Sequence, residues 1–180
     1  MDCELRDREV LLRPAMEDDL EPLWHLIHDD LAWKRFDAPY YPPPNWTLEE
    51  FRTGYFQVLS DGDRALVVEV NGEPVGVVTY TWEDEATRWL EVGIVLYSPD
   101  SWGRHLGRRA LRLWVSHLFS RFEIEHIGLT TWSGNPRMIG CAESLGMKLE
   151  ARVRKVRYFE GEYFDSIKLG VLRQEWQPDS

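Results

Sequence analysis

Ile94-Val95-Leu96-Tyr97-Ser98-Pro99-Asp100-Ser101-Trp102-Gly103-Arg104-His105-Leu106-Gly107-Arg108-Arg109-Ala110 reads as a strand that runs into a loop holding two glycines and then starts a helix. Glycine lets the backbone come close to a ligand. The first N–H groups of a helix have no partner inside it and carry the positive end of its dipole. Arg104, Arg108, Arg109 and Arg112 surround that point. Four arginines within nine positions stand out in a chain of net charge −10, so the segment is expected to hold an anion, and a pyrophosphate fits. A solvated helix face is the plainer explanation, but the order strand, glycine loop, helix favours the anion site. No Gly-Lys-Ser/Thr follows, which argues against a mononucleotide P-loop. A dinucleotide fingerprint belongs on the strand that opens its domain, which this one does not.

The strand of this segment spans 89–97, and its helix runs from near Leu106 to about Ser120, with Leu106, Ala110, Leu113, Trp114, His117 and Leu118 spaced for one buried face. Downstream come a strand at 126–132, a helix at 136–145 closed by Gly146, and strands at 152–159 and 163–172 joined by Glu160-Gly161. Upstream, 9–13 reads as a strand, and 17–28 as a helix with Leu20, Leu23, Trp24 and Ile27 at helical spacing. The aromatic, Pro-rich stretch 33–44 is a stiff connection. Thr47 and Glu50 form a capping-box signature for a helix over 48–59. Strands at 65–70 and 74–82 flank Asn71-Gly72, a strong hairpin signal. The helix between 89–97 and 126–132 is a crossover, so those two strands should be parallel neighbours. It also sets a helix N-terminus at the carboxyl end of a strand, where α/β folds bind anions. The expected architecture is a single α/β (α+β) domain over 1–180. It has a mixed, mostly antiparallel seven-stranded sheet flanked by about four helices.

Composition narrows the function. With 43% hydrophobic residues the chain matches an ordinary globular protein. No apolar run approaches the roughly 20 residues of a membrane helix. Met1-Asp2-Cys3-Glu4-Leu5-Arg6 lacks the order of a signal peptide, so a cytoplasmic location is the default expectation. Cys3 and Cys141 suggest no disulfide framework. His25, His28, His105, His117 and His126 follow no zinc pattern, and no metal is expected. The net charge of −10 argues against tracking nucleic-acid phosphates and suits a cationic acceptor, although solubility alone also accounts for it.

These residues together resemble the GNAT N-acetyltransferases, and within them the RimJ/RimL-like branch. The family's pyrophosphate loop is Q/R-x-x-G-x-G/A, often W-G-K-G-Y-G in this branch, and here stands Trp102-Gly103-Arg104-His105-Leu106-Gly107. The final glycine matches, and His105 occupies the place of the first. Leu11-Leu12-Arg13-Pro14-Ala15 with Glu17-Asp18-Asp19-Leu20 is similar to the branch's opening strand and helix. Gly72-Glu73-Pro74-Val75-Gly76 is similar to its hairpin into the central sheet. Asn135-Pro136-Arg137 with Ala142-Glu143-Ser144-Leu145-Gly146-Met147 resembles its N-x-R/A…A-E-K-L-G-F/M helix, and Gly161-Glu162-Tyr163-Phe164-Asp165 its g-x-y-x-D turn into the last strand. Five pieces in family order, covering nearly the whole chain, make the likeness specific.

The resemblance implies a site for acetyl-CoA. Ile94, Val95 and Leu96 would present backbone groups to the pantetheine arm, like an added strand. Trp102, Gly103, Arg104, His105, Leu106, Gly107 and Arg108 would hold the pyrophosphate. Asn135 would meet the cofactor near its thioester, with Arg137 toward the phosphoadenosine. A cap for the helix from Pro136 is a compatible second role for Asn135. An alkylamine is mostly protonated at neutral pH, so transfer needs a base. Glu91, on the strand leading to the cofactor loop, is the candidate, against the plainer reading that it faces solvent. An N–H among Ile94, Val95 and Leu96 would serve the oxyanion. Many GNAT enzymes carry Tyr where this chain has Ala142, so the thiolate's proton is expected from water or Tyr158. Cys141 reads as packing. Trp33, Phe36, Asp37, Tyr40, Tyr80, Trp82 and Trp132 are the expected acceptor wall. Taken singly, core packing explains each aromatic equally well.

The expectation is acetyl-CoA-dependent transfer to a primary amine, either a protein N-terminal α-amine or a small cationic amine. No nucleic-acid or membrane partner is expected, and a homodimer is left open. The alternatives are a coenzyme A-binding module that has lost catalysis, kept alive by His105 and Ala142, and an α/β mononucleotide binder.

Overall fold

A computed structural model describes residues 4–178; Cys3 lies outside them. In chain order the elements are β1 (Leu5–Asp7), β2 (Val10–Arg13), α1 (Leu20–His28), α2 (Leu48–Thr53), α3 (Tyr55–Asp61), β3 (Ala65–Val70), β4 (Glu73–Asp84), β5 (Trp89–Leu96), α4 (Leu106–Arg121), β6 (His126–Trp132), α5 (Pro136–Ser144), β7 (Lys148–Phe159) and β8 (Glu162–Leu172). The strands form one 8-stranded sheet in the order β1-β2-β3-β4-β5-β6-β8-β7. It is antiparallel except where β5 meets β6, so the crossover reading of α4 holds.

Strand alternation splits the apolar residues between two layers. Leu66, Val68, Val78, Leu90, Val92, Ile127 and Leu129 face α4 and α5, against Leu106, Ala110, Leu111, Trp114, Leu118 and Ala142. Ala65, Val67 and Val77 face the other way, against Leu20, Leu23 and Ile27 of α1 and Phe51, Phe56 and Leu59 of α2 and α3. Asn71 and Gly72 both take positive φ, 53 and 87, which is the hairpin turn their identities favour. Arg13, only 5% exposed, donates to both Asp19 oxygens at 2.6 and 2.9 Å and to Glu69 at 2.6 Å. The opening motif thus clamps the first turn to the sheet.

Two elements differ from expectation. The sheet gains β1, paired to β2 around Arg8, whose φ is 54. Nothing in Arg8-Glu9 advertises a turn, so the hairpin carries no turn signal. The single helix expected over 48–59 breaks into α2 and α3 at Gly54, at φ −110 and ψ −100. Its start is as expected: Thr47 Oγ1 accepts from Glu50 N–H at 3.2 Å and Glu50 accepts from Thr47 N–H at 2.8 Å.

Two features of the sheet prepare the site. Parallel pairing of β5 with β6 is confined to Leu90↔Ile127 and Glu91↔Gly128, and beyond Gly128 the strands part. On its other side β5 is pressed against β4. A Cβ on Gly76 would lie 2.2 Å from Val95 O and 2.9 Å from Leu96 Cα. Those are backbone atoms, so Gly76→Ala must shift β5. A loss of about 3 kcal/mol is expected, at the upper end for overpacking, read as a lower denaturant midpoint. An unchanged midpoint would show that the strands part without strain.

Candidate active site

Where β5 and β6 diverge, the sheet opens into a cleft of about 1130 Å³. Its walls are residues 92–97 of and after β5, 129–132 of β6, the loop and first turn leading into α4, one face of α5, and the stretch around Phe36, Asp37 and Tyr40. The Tyr97 N–H donates to Val75 O of β4 at 2.9 Å. Backbone direction alternates along a strand, so Ile94 and Leu96 turn their N–H and C=O groups into the opening. One carbonyl is already taken: Trp102 Nε1 donates to Leu96 O at 2.9 Å. The cleft is bordered along β5 by backbone amides, suited to a ligand that is itself amide-bearing and extended.

One end of the cleft meets the start of α4. His105 is the N-cap, in the left-handed region at φ 59, and its side chain makes no capping bond. That conformation explains why glycine is common at its place in the family loop. Gly103 is also left-handed at φ 73, with open space around its missing Cβ. Gly107 and Arg108 line the cleft, and Arg104 is exposed beside it. The four-arginine cluster read from the sequence does not converge. Arg109 reaches back to Glu9 at 2.6 Å and Arg112 to Asp7 at 2.5 Å, fixing α4 to the first hairpin. The reason is helical rotation, which turns residues three and four apart onto the face that meets β1 and β2. The anion site therefore rests on Arg104, Arg108 and the uncapped amides.

The other end is closed by the connection after α1. Phe36 O accepts from Trp132 Nε1 at 2.8 Å and from Asn135 Nδ2 at 3.2 Å. Asn135 Oδ1 accepts from Met138 N–H at 3.1 Å, so one side chain caps α5 and holds the loop. The Arg137 guanidinium lies over both Phe36 and Trp102, 5.0 and 4.9 Å from the ring centres. Tyr40 meets Trp132 edge-on at 5.7 Å. Trp33, Phe36, Asp37, Tyr40 and Trp132 are thus brought together around the cleft. Tyr80 and Trp82 are not. Alternation along β4 turns them to the α4 face, where both pack on Phe122 at 5.5 and 5.3 Å.

Two tyrosines to which the sequence assigned no site role, Tyr55 and Tyr97, belong to the site. Tyr97 is buried and hydrogen-bonded to Tyr55, and both line the cleft. Burial pushes the Tyr55 phenol up to about 12 and holds that of Tyr97 well above its ordinary value. Both therefore stay neutral donors. Asp37 lines the cleft and is exposed at its rim. Desolvation raises its carboxyl above the usual aspartate range, and Lys34 pulls it partly back.

Glu91 lies outside this lining. Its carboxylate accepts from Lys168 Nζ and from Thr130 Oγ1, both at 2.7 Å. Thr130 does line the cleft, and is the link between the two. Tyr158 is 59% exposed on β7, 5.0 Å from the Tyr163 ring, and is not part of the cleft wall. Ala142 is fully buried. Cys141 reaches the cleft, and burial pushes its thiol up to about 11 against the opposing charge of Arg108. It is a protonated thiol at neutral pH, not a nucleophile.

A family model described as the acetyltransferase (GNAT) domain matches residues 9–148. The spermidine N(1)-acetyltransferase of Escherichia coli (strain K12) is 24% identical over 168 residues, 93% of this chain and 88% of that protein. Among solved structures, RimL, the ribosomal L7/L12 alpha-N-protein acetyltransferase in complex with coenzyme A, has a TM-score of 0.77 at 20% identity, covering 94% of this chain and 98% of that one. Spermidine N-acetyltransferase from Vibrio cholerae, in complex with CoA and spermine, has a TM-score of 0.76 at 19% identity, covering 94% and 98%. At these identities the structural likeness is one of fold.

Proposed function

The chain belongs to the GNAT acetyltransferase family, and from that premise we propose that it transfers the acetyl group of acetyl-CoA directly to a primary amine in the cleft between β5 and β6. The carrying observation is the divergence of those strands beyond Gly128. It leaves the inward amides of Ile94 and Leu96 without a strand partner, on a line that ends at the uncapped start of α4.

In this reading the pantetheine arm pairs with the inward backbone of β5. The diphosphate sits at residues 103–108, where backbone amides, Arg104 and Arg108 meet it. The acceptor enters between Asp37, Tyr40 and Trp132. An inward N–H of β5 steadies the charge that develops on the thioester oxygen. The nitrogen lone pair attacks the carbonyl carbon, the C–N bond forms, and the C–S bond breaks. Asp37 faces the ammonium directly. Its raised pKa suits a group that must first attract a cation and then accept its proton. Glu91 reaches the cleft only through Thr130, and its side chain is engaged by Lys168. With Tyr158 away from the wall, the leaving thiolate takes its proton from water.

Relatives named for spermidine and for a ribosomal protein N-terminus bracket the acceptor. Both are primary amines, and an aromatic wall around one carboxylate accepts either. Calorimetry with coenzyme A, followed by mass spectrometry of amines and peptides incubated with acetyl-CoA, tests the proposal. Heat on binding and a 42-dalton gain on at least one acceptor, about the mass of an added acetyl less a proton, are expected. Neither heat nor thermal stabilisation would remove the site. Binding without any transfer would leave a coenzyme A-binding module.

A further inference from the structure

Arg152-Val153-Arg154-Lys155-Val156-Arg157-Tyr158 lies on β7, the outermost strand of the sheet. Its register against β8 breaks between Val153 and Arg157. Val153 pairs with Ser166 and Arg157 with Phe164, so three residues stand opposite Asp165 alone. Asp165 builds this bulge. Its carboxylate accepts from Lys155 N–H at 2.9 Å and from Arg152 Nε at 2.5 Å. Its backbone N–H donates to Ser133 Oγ and its carbonyl accepts from Ser133 N–H, both at 2.9 Å, and Ser133 follows the cleft-lining Trp132. Lys155 takes φ 57 to make the turn. A bulge re-aims side chains and bends its strand, and this one is tied through Ser133 to the segment that carries the cleft-lining Trp132. The motif g-x-y-x-D that opens β8 therefore has a structural purpose.

The bulge leaves cations with little to neutralise them. Arg152 is paired with Asp165, which also feels the charge of Arg154. Arg154 and Lys155 are exposed, and among the described residues their side chains make no hydrogen bond or ion pair. The Arg157 guanidinium lies 5.3 Å over the ring of Tyr40, which lines the cleft. A strip of positive charge thus begins at the acceptor mouth and runs along an edge strand whose outer N–H and C=O groups have no partner strand. Glu160 and Glu162 at the hairpin tip bound it. The whole chain carries −10, so the strip is the reverse of its surroundings.

We propose that this strip binds the carboxylates of an acidic polypeptide whose N-terminal amine occupies the cleft, the following residues lying along β7 as an added strand. The inference rests on the acetyl-transfer reading and names the acceptor for it. A polyamine repeats positive charge along its length and is repelled by the strip. An acidic segment meets Asp37 with its one cation and Arg154, Lys155 and Arg157 with its anions. Edge addition supplies backbone bonds irrespective of sequence, and alternate side chains supply the preference.

Two peptides sharing their first two residues, one continuing in Asp and Glu and the other in Asn and Gln, decide the matter, with spermidine as a third acceptor. At low salt the acidic peptide should show kcat/KM about 10-fold above its amide counterpart, carried by KM, and the gap should close at high salt. In the double variant Arg154→Glu, Lys155→Glu the ratio should fall to about one or invert, with coenzyme A affinity as the check on folding. Equal kcat/KM for the two peptides, or a preference that survives the double variant, overturns the proposal. So does acetylation of spermidine with neither peptide modified, which leaves acetyl transfer itself standing. A concentration-dependent dimer lost in the double variant reassigns the strip to a second copy of the chain. Absence of coenzyme A binding removes both readings.

Discussion

Gly107→Asp is expected to raise the dissociation constant for coenzyme A about 100-fold while leaving the protein as stable as before, or slightly more so. Gly107 lies in the first turn of α4, and a Cβ there meets only Leu96 Cδ1 at 3.6 Å and Ile94 Cδ1 at 3.9 Å. Those are ordinary contacts, so the fold tolerates a side chain. A carboxylate in a first turn is favoured by the helix dipole, by about 0.3–1 kcal/mol. Replacing glycine inside a helix also recovers about 0.5–1 kcal/mol. The same carboxylate faces the proposed diphosphate, and two like charges about 4 Å apart near a surface repel by about 4 kcal/mol. About two thirds of that, roughly 2.7 kcal/mol, gives the 100-fold loss. Calorimetry with coenzyme A and a melting curve on the same sample separate the two effects. Gly107→Ala is the control for bulk. Undiminished affinity in Gly107→Asp would put the diphosphate elsewhere.

Asp37→Asn should lower turnover about 100-fold, with coenzyme A affinity kept and stability at neutral pH unchanged or raised. The sign follows from the partial desolvation of a carboxyl that still opens to solvent at the rim of the cleft. The Asp37 carboxyl has its pKa raised in the folded state, desolvation being the larger cause and Lys34 the opposing one. Between the unfolded and the folded pKa the native state holds the proton more tightly. Stability therefore falls as pH rises through that window, and an amide removes the dependence. Activity runs the other way, because an ionised Asp37 is what draws in and deprotonates the amine. The wild-type rate should thus rise with pH through the raised pKa, and the variant should lose that limb. Glu91→Gln is the comparison. Should it abolish turnover while Asp37→Asn keeps it, proton acceptance belongs to Glu91, relayed by the Thr130 hydroxyl.

Much of the scaffold was legible because its signals are local. Asn71-Gly72, the Thr47/Glu50 box, the spacing of Leu106, Ala110 and Trp114, and the strand–loop–helix order around Gly103 each act within a few residues. The structure places them where the sequence suggests. What stayed hidden depends on partners far away in the chain. Arg109 and Arg112 look like cofactor ligands beside Arg108, yet their partners Glu9 and Asp7 lie about a hundred positions earlier. Tyr80 and Trp82 look like cleft aromatics until the face of β4 is known. Tyr55 and Tyr97 gave no signal, because their hydrogen bond joins a helix to a strand end. Asp165 read only as part of a motif; its purpose needs the bulge opposite it.

The seat proposed for the donor is made of main chain. A parting of two strands, an uncapped helix start and two left-handed residues define it, and none of these changes when a side chain along β5 is exchanged. The acceptor's surroundings are the reverse: a loop from Trp33 to Pro44 held by side chains, Trp132 and Asn135 on the Phe36 carbonyl and Arg137, Trp132 and Arg157 on its rings. Over evolutionary descent the first half can persist through wide sequence drift while the second is rewritten. Relatives a quarter identical or less can then share one acyl donor and diverge in the recipients they modify.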